Sequence, residues 1–201
     1  MRYTGPKAKI NRRLNAQVYE SSGAVRSLER RPYPPGMFTR RGKQSTYALG
    51  LAEKQKIKHY YGLSEKQLRR YFERATRMKG NTGELMLLLC ERRLDNVIRR
   101  AGLAHSRPQA RQGIVHCHFK LNGVKLNKPS ALVRPGDVIT VRERKNLHNM
   151  YRDVTETERV EPAGWFNAEP EHLRVIVSGY PMPADVSLPI EVGLVVEFMS
   201  R

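Results

Sequence analysis

The apolar and polar positions between residues 84 and 142 follow two different periods, one after the other. Leu87, Leu94, Val97, Ile98 and Ala101 recur at three- and four-residue steps, which predicts a helix with one apolar face. Arg92, Asn96, Arg99 and Arg100 recur at the same steps and fall on the opposite face. Gly102 supplies the left-handed residue that closes such a helix. Ser106 opens a second one, with Gln109 placed for a capping box and Pro108 in the first turn, where no intrahelical N–H is needed. Arg107 and Arg111 stand one turn apart and can leave the same surface. Asn122-Gly123 between Phe119, Leu121, Val124 and Leu126 is a strong hairpin signal, and a further strand, Val138 to Val141, follows Pro135-Gly136-Asp137. The pattern predicts a small α+β module with an arginine-studded helical edge.

Toward the N-terminus the spacing predicts a helix over 45–62 and another from Ser64, with Gln67 completing a capping box and Leu63 stapled onto Leu68. Leu68, Tyr71, Phe72, Ala75 and Met78 form its apolar stripe; Lys66, Arg70, Arg74 and Arg77 form a basic stripe opposite, and Gly80 ends it. Only Glu73 is acidic between Lys66 and Lys79, so pairing within the helix cannot neutralise the stripe. Residues 1–42 are rich in Pro, Gly and Arg without a sustained period, and predict an irregular basic arm that orders against phosphate. Beyond the module, residues 151–170 are acidic and weakly patterned, residues 172–177 read as a strand, and residues 194–198 read as a last strand.

Charge changes the picture more than composition does. The 201 residues carry a net charge of +18 with 39% hydrophobic residues. Residues 1–80 hold 20 Lys+Arg against 5 Asp+Glu, residues 81–150 hold 13 against 5, and residues 151–201 hold 4 against 9. Such a basic stretch calls for a polyanion, with nucleic acid first. A membrane surface is a poor alternative: no apolar run is long enough to span and the basic helices lack a broad apolar face. The start has no uninterrupted apolar run of the secretory kind. Cys90 and Cys117 do not make a disulfide framework and fit a reducing compartment.

Catalytic readings find little support. His116-Cys117-His118 suggests a metal, but in a strand neighbours point to opposite faces, in a helix only His116 and one partner would converge, and no further cluster completes a tetrahedron, so no metal and no cofactor are expected. Phosphate-loop and nucleophile-elbow motifs are absent, and Asp95 and Asp137 are isolated, Asp95 being placed to cap or to pair with Arg99.

The run RRLDNVIRRAGLAHSRPQARQGIVHCHFKLNG, followed by PGDVITVRE, resembles the α-L RNA-binding module. MRYTGPK, RRPYPPG, LAEKQKIKHYYGLSEKQLRRYFERA, KGNTGE and VVEFMSR resemble, in order, the family of small-ribosomal-subunit protein four. The resemblance implies an α+β protein: a basic arm over 1–42, a helical domain over 43–91 on which residues 186–201 pack, and an α-L domain with a small, mostly antiparallel sheet over 92–185. It implies no enzyme but a structural, RNA-binding and assembly protein of the ribosome in the bacterial cytoplasm or an organelle. Such a protein clasps a helical junction in the 5′ domain of small-subunit ribosomal RNA and is not a homo-oligomer. It further implies contact with small-subunit protein five, a place beside the path by which messenger RNA (mRNA) enters, where the cluster matching Arg40, Arg41 and Lys43 lies, and a part in decoding accuracy. The alternatives are a stand-alone α-L binder and an accessory domain of an RNA-modifying enzyme, for whose catalytic domain the flanks leave no room. Some family members hold a metal on four cysteines in the first segment; residues 1–89 here contain none. Where the family is commonly basic after the strand, SGYPMPAD carries no cation. Charge pattern and resemblance together nominate as RNA-binding Arg2, Arg12, Arg13, Arg40, Arg41, Lys43, Lys54, Lys58, Lys66, Arg69, Arg70, Arg74, Arg77, Lys79, Arg92, Arg93, Asn96, Arg99, Arg107, Arg111, His116, Lys120, Asn122 and Lys125.

Overall fold

The structure is a computed structural model that describes residues 3–37, 40, 42–157 and 163–200. Among the described residues the helices begin with α1 (Lys7–Leu14), α2 (Ser22–Arg30), α3 (Thr46–Tyr60), α4 (Glu65–Thr76) and α5 (Thr82–Glu91). Then come α6 (Leu94–Arg100), α7 (Arg107–Val115), β1 (Phe119–Leu121), β2 (Val124–Lys125), β3 (Val138–Val141) and α8 (Lys145–Thr157). The chain continues through β4 (Phe166–Glu169), β5 (Arg174–Val177) and a 3-10 turn to α9 (Val192–Ser200). It divides into two compact units, residues 1–86 with 188–201, and residues 87–187. The α+β class expected from the pattern is what the chain adopts.

The first unit is helical. Residues expected to be irregular hold α1 and α2, which are eight and nine residues long. Helices this short draw their stability from packing rather than from a long period. Ile10, Val18 and Ala24 are buried here, and the buried Asn11 side chain donates to Tyr19 O and accepts from Tyr19 N, both at 2.9 Å. The α3 and α4 starts follow the expected chemistry: Ser45 accepts from Ala48 N, and Ser64 and Gln67 form a reciprocal capping box. α4 stops at Thr76, so Met78, expected on its apolar stripe, is exposed, while Leu68 and Ala75 are buried. The expected last strand is instead α9. It packs along α3 with Val195 buried and the Phe198 ring 5.1 Å from that of Tyr47. Its valines favour a strand locally, and burial against a helix decides otherwise.

The second unit sets helices on a five-stranded antiparallel sheet of order β2-β1-β3-β5-β4. Asn122 and Gly123, at φ 50 and 78, make the tight turn between β1 and β2. The Asn122 side chain also accepts from Val138 N at 2.8 Å, which fixes β3 beside the hairpin. Phe119, Ile139, Val141, Leu173 and Val175 from the sheet share a core with Leu94, Val97, Ile98, Ile114, Tyr151 and Trp165. α8 and β4 arise from the acidic, weakly patterned stretch.

The single helix expected across Leu87 to Ala101 is two. α5 ends at Glu91, and Arg93 is extended with ψ 137. Residues 129–133 explain the break: Val133 N donates to Arg92 O at 2.9 Å, while Leu94 N and Asp95 N donate to Ala131 O and Pro129 O. The new N-terminus of α6 finds its acceptors in that segment rather than in a preceding turn.

Candidate nucleic-acid interface

α4 presents the clearest cationic surface. Lys66, Arg69, Arg70 and Arg74 on the helix, and Arg77 and Lys79 just after it, are all exposed. None of these six has an ion pair with a carboxylate among the described residues. Glu65, the nearest acid at the helix start, is taken instead by Lys54 at 2.7 Å and Lys58 at 3.2 Å. Burial pushes the Glu65 carboxyl up, but the hydrogen bonds from Lys54 and Lys58 outweigh it and hold it below the usual carboxylate range. Lys54 also stacks over the Phe198 ring at 4.8 Å. These two lysines, expected to serve RNA, are engaged within the fold.

The arginines of the second unit depart furthest from expectation. Arg93, nominated as RNA-binding, is fully buried: its Nε donates to Asp95 Oδ1 at 3.0 Å and its Nη2 to Oδ2 at 2.6 Å. Asn96, also assigned outward, is buried and donates to Glu91 Oε2 at 2.7 Å, while its Oδ1 accepts from Arg107 Nε at 2.8 Å. Arg100 pairs with the buried Glu91 at 2.9 Å, and Arg111 lies 3.6 Å from Asp95. Asp95 thus serves Arg93 and Arg111. The break before α6 shifts the helical phase, and Asn96 of the expected outer face turns inward, together with Arg93. Arg92 donates to Val133 O at 3.0 Å and lies over the Tyr180 ring.

The remaining nominations spread over both units. Arg12 is a strut: it donates to the carbonyls of Arg31, Tyr33 and Pro34 and stacks on Tyr33. Arg13, Arg40 and Lys43 line one open cleft of about 650 Å³ with Pro34, Pro35 and Gly36. Arg2 and Arg41 lie outside the described residues. Asn122 is spent on its turn, donating to Asp137 at 2.8 Å; Lys120 pairs with Glu143 at 3.2 Å; Lys125 is exposed and Arg99 half-buried.

The triplet His116-Cys117-His118 lies in a turn, neither in a strand nor in a helix. Cys117 sits at φ 56, and the two imidazoles meet edge to face with centroids 5.8 Å apart. Strand alternation therefore does not separate them; among the described residues no group of three metal-ligating side chains forms. Burial pushes the Cys90 thiol well above its usual range, as befits a core residue. Arg142 and Arg144 stand close to His118 and were not nominated. The run RERK directly after the apolar strand VITV was the available signal.

This distribution of charge over a helical unit and an α+β unit has close counterparts. The family profile described as "Ribosomal protein S4/S9 N-terminal domain" matches residues 2–91, and that described as "S4 domain" matches residues 92–139. "Small ribosomal subunit protein uS4" of Rhodopirellula baltica is 57% identical over 200 residues, covering 100% of this chain and 99% of its own length. The proteins of the same name from Rubrobacter xylanophilus and Corynebacterium glutamicum are 47% and 44% identical with the same coverage. The chain belongs to the uS4 family of small ribosomal subunit proteins.

Membership in the uS4 family makes this a ribosomal structural protein and not an enzyme. The S4 domain match covers α6, α7, the hairpin and the start of β3, so Arg142 and Arg144 lie just beyond it. No helix among the described residues is long and apolar enough to cross a membrane.

Proposed function

We propose that this protein binds small-subunit ribosomal RNA directly, clasping a helical junction of its 5′ domain, and does so early in assembly of a bacterial ribosome. The observation that carries this reading is the α4 stripe: Lys66, Arg69, Arg70 and Arg74 are exposed along one helix, and none is paired with a carboxylate among the described residues. The major groove of A-form RNA is too deep and narrow for side chains, so such cations act on phosphates and 2′-hydroxyls at the shape the junction offers. Arginine suits the task because its planar fork binds phosphate oxygens in pairs. The cleft lined by Arg13, Arg40 and Lys43 supports a second role beside the path by which mRNA enters, and hence in decoding accuracy. Residues 43–91 with 186–201, and residues 92–185, act as two RNA-binding domains, with a surface toward small-subunit protein five near the C-terminal end and no self-association. Titrating the affinity of the full chain for a transcript of the 5′ domain against potassium concentration tests the reading. Each phosphate neutralised contributes a log–log slope of about −0.7 to −0.9, and a slope shallower than that of two neutralised phosphates overturns it.

A further inference from the structure

Four side chains converge where α7 meets the sheet. The left-handed Cys117 turns the chain so that His116 and His118 face each other. His118 Nδ1 lies 3.0 Å from the Tyr151 hydroxyl of α8, which leaves its Nε2 for another partner. Arg142 N donates to His118 O at 2.8 Å and continues the ladder in which Phe119 opposes Val141. Residues directly opposite in an antiparallel pair share a face, so Arg142 stands beside the imidazole. Arg144 follows in the connection to α8 and adds its charge to the same ring.

Among the described residues the groups that face His118 are therefore His116 at the end of α7, Arg142 and Arg144 after β3, and Tyr151 on α8, with no carboxylate among them. The neighbouring Glu143 side chain is 85% exposed and pairs with Lys120. Burial first, then His116, Arg142 and Arg144, hold His118 below the ordinary imidazole range, whereas burial pushes the Tyr151 hydroxyl up to about 12. The tyrosine thus keeps its proton and can donate to a neutral Nδ1 or accept from a protonated one. A cationic cluster that holds the His118 imidazole below its ordinary range is one that an anion would reorganise.

We propose that His116, His118, Arg142 and Arg144 form one site for a phosphodiester group of the bound RNA, and that the His118 imidazole takes up a proton from solvent as the phosphate seats. The proposal rests on the RNA-binding reading above and adds to it a contact coupled to pH. The sign follows from linkage: an anion favours the charged imidazole, so the bound form holds its protons to higher pH and binding tightens as pH falls. Each unit by which a pKa rises on binding is worth about tenfold in affinity once pH lies below both values.

The test uses the full chain and the 5′-domain transcript at constant potassium, from pH 8.0 to 5.5. Wild type is expected to gain about tenfold in affinity over that range, and His116→Gln with His118→Gln to lose most of that gain. Arg142→Gln with Arg144→Gln should weaken binding about tenfold at pH 7.5. Because His118→Gln alters the contact with Tyr151, the imidazole C–H resonances of the wild type are titrated as well, with and without RNA. Their midpoints are expected to rise by about one unit in the complex. A pH dependence unchanged in the double histidine variant, or midpoints that RNA leaves in place, overturns the site. Absence of any salt-dependent binding by the wild type overturns the RNA-binding reading itself, and the site with it.

Discussion

Arg93 and Asp95, two residues apart, close a bidentate ion pair at 3.0 and 2.6 Å inside the second unit, with the arginine side chain fully buried. Two charges taken out of water in this way are held by geometry rather than by net electrostatic gain, and removing one takes the bidentate partner from the other. Arg93→Ala is expected to cost about 3–5 kcal/mol in urea unfolding of the free protein, and Asp95→Ala a similar amount. Arg93→Lys should not rescue, since an ammonium cannot reproduce the planar fork. An Arg93→Ala protein as stable as wild type would falsify the structural role of this pair.

Arg107 and Arg111 lie on the same side of α7, toward α6, where Arg107 donates to Asn96 and Arg111 approaches Asp95. Arg107→Ala leaves the buried Asn96 oxygen without this donor, which costs about 1–3 kcal/mol. Thermal unfolding of Arg107→Ala should thus show a clear loss, where a solvated arginine would show almost none. A melting temperature equal to wild type would return Arg107 to the outer surface.

The α4 stripe predicts the opposite pattern. Arg70→Ala with Arg74→Ala removes exposed charges and should change stability by within about 0.5 kcal/mol per site. The same variant should bind the 5′-domain transcript more weakly and reduce the salt slope by about 0.7–0.9 for each phosphate that is no longer neutralised. Filter binding at several potassium concentrations reads both quantities, and an unaltered slope would remove α4 from the interface.

Much of this was legible where the cause is local. The caps at Ser45 and Ser64, the Asn122-Gly123 turn and the start of β3 each depend on a few adjacent residues, and each stands where the sequence placed it. The failures share a non-local cause. Nothing in LDNVIRR says that residues 129–133 will supply the acceptors for α6, yet that docking breaks the helix and carries Arg93 and Asn96 inward. Leu194 to Phe198 reads as a strand until α3 is known to lie against it. The expected site suffered in the same way: charge is visible in a sequence, whereas the carboxylates that consume it at Lys54, Lys58, Arg93 and Lys120 become partners only in the fold.

His59 carries a pH signature in the first unit. Burial, then the charges of Lys58 and Arg13, lower its pKa from 6.5 to about 4, while its Nδ1 meets the Tyr19 hydroxyl at 3.2 Å. A depressed folded-state value means that the unfolded chain binds the proton more readily. The stability His59 contributes is therefore complete above pH 6.5 and is lost as pH falls from 6.5 through about 4. His59→Asn, which keeps an acceptor near Nδ1, should flatten the decline of melting temperature across that window. An equally steep decline in the variant would assign it to other groups.

Gly83 tests the seat of α9. A Cβ built there would lie 2.0 Å from Val192 Cγ1 and 2.9 Å from Val196 Cγ2. Gly83→Ala should consequently destabilise the protein by about 1–3 kcal/mol despite the better helix propensity of alanine. Val192→Ala in the same chain should recover part of the loss, and a double-mutant cycle measures that coupling.

The seating of α9 along α3 also imposes an order in time on biosynthesis. Residues 87–187 are contiguous, so their unit can close as soon as they have left the exit tunnel. The first unit is interrupted by that whole stretch, and its α3 waits for residues 192–200 before Val195 and Phe198 can cover it. During this interval the nascent chain exposes the apolar side of α3 beside a strongly cationic surface, a state for which chaperones or early capture by a polyanion are the physical remedies. The portion made first is thus the portion completed last.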